Sequence, residues 1–229
     1  MDSDQLKRIS FNRRLDVLEM VRAAGTGHIG GSMSCMDILV SLYYEIMDTD
    51  MIHAGAAERD RFILSKGHCA EALYTVLADK GFFPKELLRT YAAFDTILAE
   101  HPTKKVPGVE VATGALGHGL SVGVGMAVGL KADKSSSHIY VLMGDGEQAE
   151  GAVWEAVMSA AKFGLDNLTA LIDRNRLQIS GSTEEIMPLE IIMPGGHHKK
   201  RKQGRMGERR QVRPRLLKRA VWKLRLPLR

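Results

Sequence analysis

Residues 138–175 constrain the fold more than any other stretch. HIYVLM is a short apolar run and GDG breaks it. EGAVWEAVMSAAKFG then carries helical periodicity to Gly164, and LTALID is a second apolar run that ends just before Asn175. A strand, a helix and a strand in so short a span predict a parallel βαβ unit, because only a crossover returns the chain to the start of the sheet. RFILS (61–65) reads as a further buried strand. The fold class that follows is α/β, a parallel sheet with helices on both faces. Ligands of such sheets bind beyond the carboxyl ends of the strands.

The remaining segments fit that frame. LKRISFNRRLDVLEMVRAAG (6–25) reads as an amphipathic helix, with Leu15, Leu18 and Val21 on one face and Gly25 as its stop. GTGHIGGSMS reads as a glycine-rich loop, and Ser34 with Asp37 has the spacing of a capping box before the next helix. CAEALYTVLADKG and KELLRTYAAF read as helices, and HPTKKVPGVEVATGALGHG as a long loop. In GALGHGLSVGVGMAVGLKAD each glycine within a helix costs about 1 kcal/mol relative to alanine, so Gly119 with Gly123, and Gly125 with Gly129, predict a close-packed neighbour.

Charge divides the chain. It has 229 residues, with 32 Lys and Arg against 27 Asp and Glu. Residues 190–229 hold 14 basic residues and two acids, which leaves 18 basic and 25 acidic in residues 1–189. The expected organisation is therefore a domain over 1–189 and an appended basic tail over 190–229. Cys35 and Cys69 have neither metal-ligand nor redox spacing and read as two reduced thiols. No signal-peptide pattern and no run of about 18 apolar residues occur, so a cytoplasmic protein without a membrane span is expected.

The chemistry of the opening stretch lies at its two ends. Asp145 sits at the tip of one strand and Asn175 at the tip of the next. If the strands are neighbours, a carboxylate and an amide carbonyl meet, as Mg²⁺ requires when it also holds phosphate oxygens. Glycines let phosphates approach the backbone, and a helix starting near Gly151 adds its N-terminal dipole. His28, His68 and His101 all lie in loop settings, suited to hydrogen bonds with hydroxyls and phosphates and to proton transfer. Their spacing matches no zinc motif.

GDG alone is weak evidence, but GDG followed by 28 residues and Asn across strand, helix and strand resembles the diphosphate motif of thiamine diphosphate enzymes. With GHIGGSMS, SKGHCAEALY, HPTKKVPGVEVATGALGHGLSVGVGMA and GDGEQAEGAVWEA, residues 5–189 resemble transketolase. The similarity is to its N-terminal section, which split bacterial enzymes make as a separate polypeptide. The resemblance implies the thiamine diphosphate-binding fold, in its diphosphate-type domain, and transfer of a two-carbon ketol unit between sugar phosphates in the pentose phosphate pathway. It implies Mg²⁺, or Ca²⁺ or another divalent ion, on Asp145, Asn175 and the Leu177 carbonyl. Gly146 and Asn175 would meet the diphosphate, and His68 with Gly114, Ala115 and Leu116 would line the cofactor. His28 and His101 would bind the sugar and assist proton transfer, and Glu150 would sit near the cofactor in subunit communication.

The pyrimidine-binding domain of the family is absent from the sequence. The resemblance therefore implies a partner, the C-terminal transketolase subunit, with a homo- or hetero-oligomer as the assembly and a chain inactive alone. The family's continuation past GSTEEIMPLE is replaced by the basic tail, which predicts a domain incomplete at its C-terminus and an exposed strand edge that lowers stability and solubility. The tail's abrupt onset and arginine richness fit out-of-frame translation. A nucleic-acid arm is disfavoured because Trp222 is the tail's sole aromatic residue. Alternatives within reach of the same sequence are a relative such as 1-deoxyxylulose-5-phosphate synthase and a non-functional remnant of a transketolase subunit.

Overall fold

In the computed structural model, residues 1–188 and the backbone of 221–223 are described. The sheet is built from β1 (Arg61–Leu64), β2 (Ile139–Gly144) and β3 (Leu168–Asp173), all parallel, in the order β1-β2-β3. Their residues alternate between two cores, as period-two side chains must. Phe62, Leu64, Leu142 and Leu171 face α1 (Ser3–Ala24), α2 (Ile29–Ser41) and α4 (Ala70–Asp79). Ile63, Ile139, Val141 and Met143 face α5 (His118–Ala132) and α6 (Gly151–Lys162). Short α3 (Thr49–His53) precedes β1. The ribbon β4 (Leu177–Gln178) and β5 (Gly181–Ser182) with α7 (Thr183–Ile186) follows β3. The parallel α/β architecture expected from the sequence is the one found.

Several local expectations are corrected. Helix α1 begins at an Asp2–Gln5 capping box and stops at left-handed Gly25, but Leu15 and Leu18 lie on its exposed side with Phe11. Its buried stripe is Leu6, Ser10, Arg13, Val17, Met20 and Val21, and buried Arg13 is neutralised by Asp16 and Asp79. A long arginine on the inner face displaced the apparent leucine stripe outward.

The second correction is at α2, which starts at Ile29 and not after Ser34. A Cβ on Gly31 would lie 2.5 Å from Cys69 Sγ, so this glycine serves a close helix contact. Ser34 and Asp37 do not cap: Ser34 Oγ donates to Asp173, and Asp37 pairs with Arg14. Third, only Lys85–Thr90 of KELLRTYAAF is helical, as a 3₁₀ segment. Fourth, the outer edge of β3 carries β6 (Val221–Lys223), paired antiparallel, where a bare edge was expected. The rest of the basic tail, and with it the boundary at 189 and its out-of-frame origin, lies outside the described residues.

The glycines of α5 divide into two classes. A Cβ on Gly119 would meet Ser65 Oγ at 2.3 Å and Ser65 Cα at 2.8 Å, and one on Gly123 would meet Val141 Cγ2 at 2.6 Å. Gly125 and Gly129 face open space, so they are not the packing pair their spacing suggests. Gly119→Ala is therefore expected to destabilise by about 1–3 kcal/mol through overpacking. Gly125→Ala should stabilise by about 0.5–1 kcal/mol through helix propensity. Urea melts of the two variants check both signs.

Candidate functional site

Three parallel strands end at one edge of the sheet, and each delivers part of the site. Beyond β1 the chain runs Ser65, Lys66, Gly67, His68; beyond β2 comes Asp145; beyond β3 comes Asn175. Gly144 and Asp173 are register partners, so the tips of β2 and β3 are adjacent. This is the neighbour relation that the sequence could only assume.

Asp145 is 1% exposed. Its Oδ1 accepts the Gly146 N–H at 3.0 Å and its Oδ2 the Arg176 N–H at 2.6 Å. Arg176 adopts φ of +64°, which turns the 174–178 segment back over the β2 tip. Burial pushes the Asp145 carboxyl above the usual carboxylate range, the two backbone donors oppose that, and nearby Asp173 adds to it. Asn175 is half-buried and its Oδ1 accepts the Leu177 N–H at 2.8 Å. An ionised carboxylate offers about four lone-pair sites and an amide oxygen two, so both groups retain acceptor capacity. Leu177 is exposed, and the Gln178 side chain lies over Gly146.

The three loop histidines form a cluster. The His28 ring lies 5.4 Å from the His68 ring and 6.3 Å from that of His101, both edge-on. Cys69, hydrogen-bonded to His68, raises the imidazole pKa above its ordinary value, against burial. The rings do not make a metal site: among the described residues no group of three or more His, Cys, Asp or Glu could hold an ion. His101 packs on Gly114, where an added Cβ would lie 3.3 Å from the ring. Gly114, Ala115 and Leu116 are exposed. Gly117, at the end of that loop, passes so close to exposed Glu150 that a Cβ would sit 2.7 Å from the Glu150 Cβ.

Sequence reasoning missed the charged residues that hold these parts together. Glu147 is buried; it accepts from Gly117 N at 2.8 Å, from Gly144 N at 3.0 Å and from Ser65 Oγ. One carboxylate thus ties the tips of β1 and β2 to the 114–117 loop. Lys66 and Asp173, both fully buried, form an ion pair of 2.5 Å between the ends of β1 and β3. Glu71 is equally buried on α4. The signal was available: Lys66 and Glu71 are the only charges in SKGHCAEALYTVLA, a stretch otherwise suited to a core. Cys35 and Cys69 are free and buried. No helix among the described residues is long and apolar enough to cross a membrane.

Comparison with known proteins places this arrangement in one lineage. Residues 5–193 match the family described as transketolase, thiamine diphosphate binding domain. The chain is 54% identical over 192 residues to an apulose-4-phosphate transketolase subunit of Phocaeicola vulgatus, covering 84% of this chain and 68% of that one. It is 46% identical over 176 residues to a 6-deoxy-6-sulfo-D-fructose transketolase subunit of a Clostridium species, covering 76% and 64%. The structure of transketolase from Campylobacter jejuni superposes with a TM-score of 0.76 at 29% identity, over 83% of this chain and 31% of that one. The chain thus spans about two thirds of the related subunits and under a third of the Campylobacter chain. The family match over 5–193 and the 54% identity to a transketolase subunit show that the chain belongs to the transketolase family, as a form of its N-terminal thiamine diphosphate-binding section.

Proposed function

We infer that this chain is the diphosphate- and metal-holding half of a two-subunit transketolase. The observation that carries the reading is the placement of Asp145 and Asn175 just beyond neighbouring strand ends, with the N–H of Arg176, the residue after Asn175, donated to Asp145. The donor set fits a small hard divalent ion. Asp145 is a buried carboxylate that accepts from two backbone N–H groups, and Asn175 adds an amide oxygen. With the Leu177 carbonyl they make an all-oxygen set of the kind Mg²⁺ takes together with phosphate. Gly146 and Asn175 would face the diphosphate, and His68 with Gly114, Ala115 and Leu116 would border the rest of the cofactor. Glu150 lies beside that loop, where it would couple to a second subunit.

When bound, thiamine diphosphate supplies the electron sink for breaking and remaking the ketose carbon–carbon bond. The chain's own residues do the rest. The edge-on cluster of His28, His68 and His101 presents imidazole nitrogens for sugar hydroxyls and for holding or moving their protons. A sugar phosphate is the expected substrate class. The subunit names of the relatives support a separate partner chain; the partner we infer is a C-terminal subunit that supplies the pyrimidine-binding domain, in a cytoplasmic hetero-oligomer.

The test is titration of the full chain with thiamine diphosphate and Mg²⁺, with and without such a partner, followed by ketol transfer. Metal-dependent binding and activity that needs the partner are expected. No binding in either case would leave a non-functional remnant.

A further inference from the structure

Glu71 sits three residues after His68, on the buried side of α4. Its Oε1 accepts the His28 backbone N–H at 2.7 Å and the Tyr91 hydroxyl at 2.8 Å; its Oε2 accepts Ser32 Oγ at 2.8 Å. All three donors are neutral. Burial, and then the charge of Glu71, hold the Tyr91 phenol well above its usual range, so it stays a donor. The chain passes directly over the carboxylate: a Cβ on Gly27 would lie 2.7 Å from Oε1, and its φ of +146° is one that side chains rarely adopt.

Stability does not explain this residue. Taking a carboxylate out of water among neutral donors costs free energy, and a core in which the donors too were apolar would need no such acceptor. The carboxylate does fix one thing an apolar residue could not. His28 is the N-cap of α2, and its N–H has no acceptor within the helix. Glu71 supplies that acceptor and so sets where the His28 ring enters the cluster. One turn further along α4, the Tyr74 hydroxyl lies 2.9 Å from the Ala99 carbonyl oxygen and 3.2 Å from that of His101. The same helix follows directly on the turn that carries His68.

We propose that Glu71 is a positioning residue that holds His28 against His68 and His101, making α4 the common reference for all three imidazoles. That this cluster meets the sugar rests on the transketolase reading above.

The experiment has two arms. In the full chain without cofactor, ring resonances of His28, assigned by loss in His28→Asn, are followed in Glu71→Met, Glu71→Gln and Ser32→Ala. The proposal expects Glu71→Met to displace the His28 signals while His53 stays put. Glu71→Gln, which keeps one carbonyl acceptor, should restore them, and Ser32→Ala should leave them near the parent. In the assembled enzyme, Glu71→Met should raise KM for the donor ketose roughly tenfold or more, with cofactor affinity within about twofold and Glu71→Gln within about threefold of the parent. His28 signals unmoved in Glu71→Met, or Glu71→Gln as damaging as Glu71→Met, would overturn it. Should Glu71→Met not fold, Glu71→Asp withdraws the carboxylate by about 1.5 Å, and unmoved His28 signals there overturn it equally. An assembled enzyme with no transferase activity would refute the transketolase reading and leave the resonance arm intact.

Discussion

Lys66→Met should cost about 3–5 kcal/mol of folding stability, the range for removing one partner of a buried ion pair. Lys66 and Asp173 are both 0% exposed, and their contact spans the carboxyl ends of β1 and β3 with β2 between them. Burial pulls the lysine pKa down, but Cys35, Cys69 and Asp173 outweigh it and hold the ammonium charged. Without the lysine, Asp173 keeps only Ser34 Oγ as a side-chain partner among the described residues. A charge left in the core is worse than either a complete pair or none, so Lys66→Met with Asp173→Asn should recover more than half of the loss. Urea denaturation of the single and double variants measures both. A single variant within about 1 kcal/mol of the parent would show that the pair contributes little to the fold.

That pair also illustrates what the sequence could and could not disclose. The three strands, their parallel sense and the tips at Asp145 and Asn175 were legible, because apolar runs between glycines and a helical period have few foldings, whereas the adjacency of β2 and β3 had to be assumed. The histidine cluster was half legible: His28, His68 and His101 stood out as loop residues, but nothing local states that rings 73 residues apart in sequence lie 6.3 Å from one another. The supporting charges were half legible for a different reason. Lys66 and Glu71 stand out as charges in a core-like stretch, but the partners of Lys66, Glu71, Glu147 and Asp173 lie mostly far along the chain, and no local pattern names them. Helix α1 failed for the converse reason. Its leucines fit a helical stripe, yet the side that packs carries Arg13, whose acidic partners only the tertiary structure supplies.

The Asp145→Asn variant separates holding a metal from holding the fold. Two unit charges about 4 Å apart are worth about 4 kcal/mol at an effective dielectric near 20, and the double charge of Mg²⁺ about doubles that. Part of that returns when water takes over the vacated coordination site, so the expected loss in Mg²⁺-dependent cofactor affinity is about 100-fold or more. The empty protein should hardly notice. Asparagine keeps one oxygen for Gly146 or Arg176 and faces the other N–H with its amide, a cost of about 1 kcal/mol. Against that, burial already penalises the ionised carboxylate, and the neutral amide escapes the penalty. The melting temperature of the apo chain should therefore stay within a few degrees of the parent, while calorimetric titration with thiamine diphosphate and Mg²⁺ loses its signal. Equal binding by parent and variant would remove Asp145 from the metal site. A large drop in apo stability would mean that its two backbone hydrogen bonds, and not a cation, are the reason a carboxylate lies buried at the tip of β2.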